Sequence, residues 1–295
     1  DVRGRYMSEG EFVEVTPHIA AKKNDQDIDE STDTYDTIEW LLKNVPGHNG
    51  RVGMYGISYP GFYCSAGMID AHPALVAVSP QAPVGDWYFD DFLHNGAFFL
   101  AHAYRWLGNN AQTRGKPTAE KPKPVNYPTL DGYELFLEAG SMESVTRKLL
   151  KDAAPFWNEM MEHPNRDEFW QRRAILPHLK NVAPHVMVVT GWYDAEDLYG
   201  SFKTYQAIER QNPGVSNMLV VGPWSHGGWG SGEGERVGQA AFGVLLFQDL
   251  AVIPLFALLP LLALPGAAPA AVEGGHGSGV LAGQPGWLRI LATFA

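Results

Sequence analysis

The chain has 295 residues, 45% of them apolar, enough for one large core or two ordinary ones. Its net charge is −11 and no Lys/Arg run stands out, which argues against a nucleic-acid partner. The single cysteine, Cys64, excludes an internal disulfide and a cysteine metal cluster, and reads as a small buried apolar residue.

Asp1 opens DVRGRY, which reads as the end of a strand running into a loop, so upstream residues are expected to be missing. Residues 31–45 place Tyr35, Ile38, Leu41, Leu42 and Val45 at helical spacing, with Ser/Thr/Asp caps in front and Pro46-Gly47 behind. A strand over 51–57 follows, then a turn carrying Ser58, then a helix from about Gly61 to Asp70. ALVAVSPQAPVGDW reads as another short strand ending in a loop. Alternating helices and strands imply right-handed crossovers and a parallel α/β sheet.

From Gly85 to about Arg173 the pattern changes. Aromatics crowd DWYFDDFLHNGAFFLAHAYRWL, a Pro/Lys-rich loop GKPTAEKPKPVNYP follows, and helical stretches come next. This predicts a helical insertion over one end of the sheet, spanning 85–175. The α/β pattern resumes with HVMVVTGWYD, read as a strand ending at Asp194. A helix LYGSFKTYQAIER and NMLVVGPWSHGGWG, read as a strand ending near His226, complete it.

Ser58, Asp194 and His226 thus each follow a predicted parallel strand, where open α/β sheets collect their reactive groups. Their chain order, Ser then Asp then His, is that of the α/β-hydrolase fold. The residue types suit acyl transfer. A hydroxyl becomes nucleophilic when an imidazole takes its proton, and a carboxylate fixes and charges that imidazole. The Tyr59 N–H would point at the developing oxyanion. One departure from G-x-S-x-G is visible: Pro60 stands between Tyr59 and the second glycine, Gly61. Singly, Ser58 reads equally as a strand-end serine, Asp194 as a helix cap and His226 as a surface histidine; their joint order favours the catalytic reading.

DVRGRYMSEGEF, DTYDTIEWLLKN, GRVGMYGISYPGF, GWYDAED and GPWSHGGW resemble the X-Pro dipeptidyl-peptidase-like serine hydrolases. That group includes cocaine esterases, α-amino-acid ester hydrolases and glutaryl-7-aminocephalosporanic acid acylases, and the ester hydrolase and acylase branch is the most similar. The resemblance covers about residues 1–236, and Gly56, Ser58, Tyr59 and Gly61 match the group's elbow. It implies an α/β-hydrolase core (1–84 and 176–236) with a helical cap, lacking its N-terminal strands and C-terminal jelly roll. It implies Ser58 as nucleophile, Asp194 as orienting acid, His226 as base and the Tyr59 N–H as one oxyanion donor. The second donor would be a tyrosine hydroxyl upstream of Asp1.

The implied reaction is cleavage of small ester or amide substrates through an acyl-enzyme, with X-Pro dipeptidyl-peptidase activity as the alternative. No cofactor is implied, and the implied location is periplasmic or secreted. Ester hydrolases of the group hold a substrate ammonium with carboxylates. The candidates here are Asp86, Asp90, Asp91, Glu196 and Asp197, with Glu162, Asp167 and Glu168 of the cap as weaker ones. Trp87, Tyr88, Phe89, Phe92, Phe98 and Phe99 suit an apolar acyl pocket or plain packing. No metal is expected: H-E-x-x-H is absent and the ten histidines lie in no ligand spacing. A non-catalytic α/β binding module is the reading left if any of the three triad candidates were absent; all are present.

The stretch from about Val237 differs in kind. Between Ala240 and Val272 the only charge is Asp249. GQAAFGVLLFQDLAVIPLFALLPLLA resembles Kef-type cation:proton antiporters, with Gln248-Asp249 matching an intramembrane polar pair and Pro254 and Pro260 an interrupted helix. The expectation for 237–295 is a foreign, membrane-helix-like tail, joined from an unrelated reading frame. A genuine membrane anchor, or a transport function carried by the tail alone, is the alternative.

Overall fold

A computed structural model describes residues 1–110, 116–121, 128–129, 131–150 and 154–231. These lie within one compact unit, Asp1–Gly234. The expected foreign tail over 237–295 lies outside the described residues. Among the described residues no helix is long and apolar enough to cross a membrane.

Helix α1 (Glu30–Asn44) starts where Asp29 accepts hydrogen bonds from the Ser31 and Thr32 N–H groups, and Thr32 returns one to the Asp29 backbone. In this capping box Thr32 Oγ1 accepts the Asp29 N–H (3.0 Å), so donors the helix itself cannot satisfy are paired. The helix stops at Val45, which is extended, as suits the residue before a proline. Strand β1 (Val52–Ile57) follows, then α2 (Tyr59–Gly67) and β2 (Leu75–Gln81). Helix α2 begins two residues earlier than the expected Gly61 and ends before the expected Asp70. Pro60 belongs in its first turn, where a missing N–H costs nothing.

The chain then enters the insertion. A π-helical turn, Tyr88–Phe92, leads to α3 (Leu100–Asn110), α4 (Gly132–Ala139), the short α5 (Met142–Ser144), α6 (Pro155–Glu162) and α7 (Glu168–Gln171). Aromatic rings hold this region together: Phe92 meets Trp87, Trp106, Phe156 and Trp170. Strand β3 (His185–Gly191), α8 (Leu198–Gln211) and β4 (Asn217–Gly222) complete the described elements.

The four strands are parallel, in the order β1-β2-β3-β4. Helix α2 packs on β1 and β2, and α8 on β3 and β4. One apolar core joins the sheet, through Val78, Val186 and Val188, to the insertion, through Trp87, Phe92 and Trp170. Cys64 is fully buried in it. The other sheet face carries Tyr55, Met187 and Met218, which are 77%, 40% and 58% exposed. All strands end at the same rim, so β1, β3 and β4 deliver the residues that follow them to one place.

Candidate active site

At the end of β1 the chain turns sharply. Ser58 has φ 69° and ψ −127°, a conformation L side chains rarely adopt. Its N–H donates to the Gln81 carbonyl (2.9 Å) and its own carbonyl accepts from the Phe62 N–H (3.0 Å), so β2 and α2 hold the turn. Close approach explains the glycines. A Cβ at Gly56 would lie 2.5 Å from the Pro60 carbonyl oxygen, and one at Gly61 would lie 2.6 Å from that of Gln81. The late glycine is therefore the one facing β2. The Tyr59 N–H sits in the first turn of α2, where helix N–H groups have no intrahelical acceptor.

Asp194 follows β3 and is buried. Its Oδ1 accepts the N–H groups of Glu196 (2.9 Å) and Asp197 (3.0 Å), so it organises the loop before α8. His226 follows β4, and its Nδ1 lies 3.1 and 3.0 Å from the two Asp194 oxygens. Burial opposes charge on both groups, but their mutual hydrogen bond and attraction outweigh it. The Asp194 carboxyl is held below the usual range and the His226 imidazole is raised.

The histidine loop is tied to the elbow. The Trp229 Nε1–H donates to the Gln81 side chain (2.7 Å), and the Cβ position of Gly227 lies 3.6 Å from Ile57 Cγ2. Gln81, at the end of β2, thus holds both the Ser58 turn and the loop that carries His226. Among the described residues no hydrogen bond joins Ser58 to His226. The imidazole Nε2 instead faces Glu196 Oε2 at 3.7 Å. Catalytic hydrogen bonds are often long without substrate.

The carboxylate candidates separate into two groups. Asp86 is buried in a two-bond pair with Arg166 (Nε 3.0 Å, Nη2 2.7 Å), and Asp90 accepts the N–H groups of Gly85, Asp86 and Gly200. Both belong to the scaffold, and Trp87 is core, 2% exposed. Glu162 ends α6, Asp167 caps α7 and pairs with His163, and Glu168 lies in the first turn of α7. Tyr88 and Phe92 pack on Trp170, and Phe98 packs on Trp157.

Asp91, Glu196 and Asp197 do collect beside His226. Asp197 is fully buried, and burial followed by repulsion from Asp91, Asp90, Asp194 and Glu196 pushes its carboxyl well above the usual range. An open pocket of about 440 Å³ adjoins them, walled by Phe89, His94, Asp194, Ala195, Glu196, Leu198, Tyr199 and Phe202. A larger groove, about 1020 Å³, runs along α1 and the β1 edge and includes none of these groups.

Three further residues enter the site unannounced by sequence. His102, on α3, brings Nε2 to 3.4 Å from Asp91 Oδ1. His94 lines the pocket. Glu14, whose buried Oε1 has no hydrogen-bond partner among the described residues, interacts with Tyr59, whose hydroxyl accepts the Val15 N–H (2.8 Å). Burial raises the Glu14 carboxyl to about 8, against the lowering effects of Tyr59 and Arg5. No spacing rule links these residues to Ser58; only the folded chain does.

Comparison with known proteins bears on the fold and the family. The chain is 28% identical to the cocaine esterase of Rhodococcus sp. (strain MB1 Bresler) over 235 residues, covering 77% of this chain and 38% of that protein. Its structure is similar to an aminopeptidase from the marine sediment archaeon Thaumarchaeota archaeon (TM-score 0.66, 38% identity, 77% of this chain, 37% of that one). It is also similar to an α-amino acid ester hydrolase (TM-score 0.68, 34% identity, 77% of this chain, 36% of that one). The chain therefore spans less than two-fifths of the length of each of these relatives. These likenesses assign the α/β-hydrolase-like fold. The model of the X-Pro dipeptidyl-peptidase (S15) family matches residues 1–228, and on that match the chain belongs to this family.

Proposed function

We propose that the chain is the catalytic part of a serine hydrolase that cleaves esters or amides of α-aminoacyl groups through an acyl-enzyme. The hydrogen-bonded Asp194–His226 pair, set on the same rim as the strained Ser58 elbow, is the observation that carries this reading. In the mechanism, His226 Nε2 takes the Ser58 proton as Oγ attacks the carbonyl carbon. Asp194 holds the imidazole with Nδ1–H toward itself, which leaves Nε2 as the acceptor, and stabilises the imidazolium that forms. The Tyr59 N–H donates to the oxyanion. The imidazolium then gives its proton to the leaving alcohol or amine, and water repeats the sequence on the acyl-enzyme.

The substrate class follows from charge. Asp91, Glu196 and Asp197 crowd one wall beside His226, and such a wall attracts a cation. The free α-ammonium of an aminoacyl group is a cation at a fixed short distance from the scissile carbonyl, so one side of the pocket can hold the charge while Ser58 attacks. The Xaa-Pro dipeptide also carries an N-terminal ammonium, one residue farther from its scissile bond.

A substrate panel tests the reading: an α-amino ester, its N-acetyl counterpart, a glutaryl amide and an X-Pro dipeptide amide. The expected result is that kcat/KM for the free amino ester exceeds that of the N-acetyl ester at least about 100-fold, as for loss of a paired buried charge. Equal rates on the two esters would overturn the ammonium assignment. Preferred cleavage of the X-Pro amide would move the assignment to the dipeptidyl-peptidase reading.

A further inference from the structure

The wall beside His226 contains more than carboxylates. Asp91 comes from the π-helical turn, His102 from α3 and Glu196 from the loop before α8, and one donor atom from each lies within 4.8 Å of the others. His102 Nε2 and Asp91 Oδ1 are 3.4 Å apart. That separation is the edge of a tetrahedron whose centre is about 2.1 Å from each corner, the bond length of Zn²⁺ to imidazole nitrogen and carboxylate oxygen. The His102 ring is also held in place, stacked on Phe99 (centroids 5.0 Å, 14° between planes).

A second observation points to a ligand. Asp197 is fully buried, yet neither carboxylate oxygen has a hydrogen-bond partner among the described residues. It shares with Glu196 and His226 a second set of donor atoms within 4.8 Å, its Oδ2 lying 3.9 Å from His226 Nδ1. The Nε2 atoms of His94 and His102 are likewise buried without hydrogen-bond partners. Asp90, nearby, shows the contrast, since three backbone N–H groups satisfy it. Buried acceptors are ordinarily paired.

We propose that Asp91, His102 and Glu196 form a binding site for a divalent transition-metal ion, Zn²⁺ by preference, and that its occupation inhibits the enzyme. One imidazole with two carboxylates suits Zn²⁺. Ca²⁺ takes six to eight oxygens and Mg²⁺ keeps a near-octahedral oxygen shell, so neither matches this set. Inhibition follows from position. Glu196 Oε2 is 3.7 Å from His226 Nε2, so a metal on Glu196 brings positive charge beside the imidazole that must accept the serine proton. It would also occupy the carboxylates assigned above to the substrate ammonium. The inhibitory consequence rests on the proposed function; the binding does not.

Direct binding to the whole chain separates the two. Titration with Co²⁺, read by its visible d–d absorption, and with Zn²⁺, read by calorimetry, should give one tight site per chain. His102→Gln and Asp91→Asn should each weaken it at least tenfold, while Ser58→Ala binds as the unsubstituted protein does. Thermal melts of each variant exclude misfolding, and the second substitution keeps the test decisive if the first fails to fold. No binding at millimolar Zn²⁺ would overturn the proposal. So would binding that survives both substitutions, or that is lost in His226→Ala while His102→Gln retains it. Where turnover is measurable, Zn²⁺ should abolish it and a chelator should restore it.

Discussion

At the residue scale, the Asp194–His226 pair and the buried Glu14 make opposite demands on charge. Asp194 is stabilised as an anion by His226 and two backbone N–H groups. In Asp194→Asn the imidazole would favour the wrong tautomer, and kcat should fall by about 10³- to 10⁴-fold; a loss below tenfold in steady-state kinetics would remove Asp194 from its role. Glu14 is raised from 4.5 to about 8 by burial, so the folded state keeps a proton that the unfolded chain releases. Its contribution to stability is complete below the unfolded pKa and disappears as pH rises through the folded one. Glu14→Gln carries no such liability. Relative to the unsubstituted chain, its stability in urea should gain roughly 2–4 kcal/mol between pH 5 and pH 9, and parallel pH profiles would refute this. Neither Glu14 nor His102 was legible in the sequence. Each acts through a partner distant in the chain, Tyr59 and Asp91, and nothing local marks the pairing.

At the element scale, the order in which Ser58, Asp194 and His226 follow β1, β3 and β4 was legible from three short apolar runs. But β3 stops at Gly191 and β4 at Gly222, short of the expected ends at Asp194 and near His226, because the chain turns there into loops. The carboxylates of GDWYFDDF were harder to sort. Asp86 pairs with Arg166 and Asp90 takes three backbone N–H groups, while Asp91 faces His102. Sequence shows the run of acids but not which partner each one meets. Helix α2 starts ahead of the expected Gly61 because Pro60 fits a first helical turn. The elbow glycines give a direct test. A Cβ at Gly61 would meet the Gln81 carbonyl at 2.6 Å, so Gly61→Ala should cost about 1–3 kcal/mol in denaturant melts and displace the Ser58 turn. An unchanged melting midpoint would show that the elbow tolerates the approach.

At the scale of the whole molecule, the insertion is joined to the sheet by one continuous core, and inside the insertion Arg166 ties its last part to Asp86 at its start. The Asp86 side chain is 2% exposed, so Arg166→Ala strands a buried carboxylate. The expected loss is about 3–5 kcal/mol, partly recovered in Arg166→Ala/Asp86→Ala because the stranded charge is then removed. Additive losses would show that the pair is not a unit. The fold class was legible from alternating helix and strand patterns, since parallel strands require crossovers. The extent to which the insertion shares the sheet's core was not, because aromatic spacing alone does not say which rings meet. Tyr55, Met187 and Met218 remain exposed on the sheet face away from the helices, whereas parallel sheets are ordinarily covered on both sides.

The central claim is that the hydroxyl at the β1 elbow is the nucleophile. Fluorophosphonate labelling of the chain, followed by peptide mass spectrometry, tests it without needing a known substrate. The account predicts one adduct, on Ser58, lost in Ser58→Ala and strongly slowed in His226→Ala. An adduct on another residue, or labelling that persists in Ser58→Ala, would contradict it.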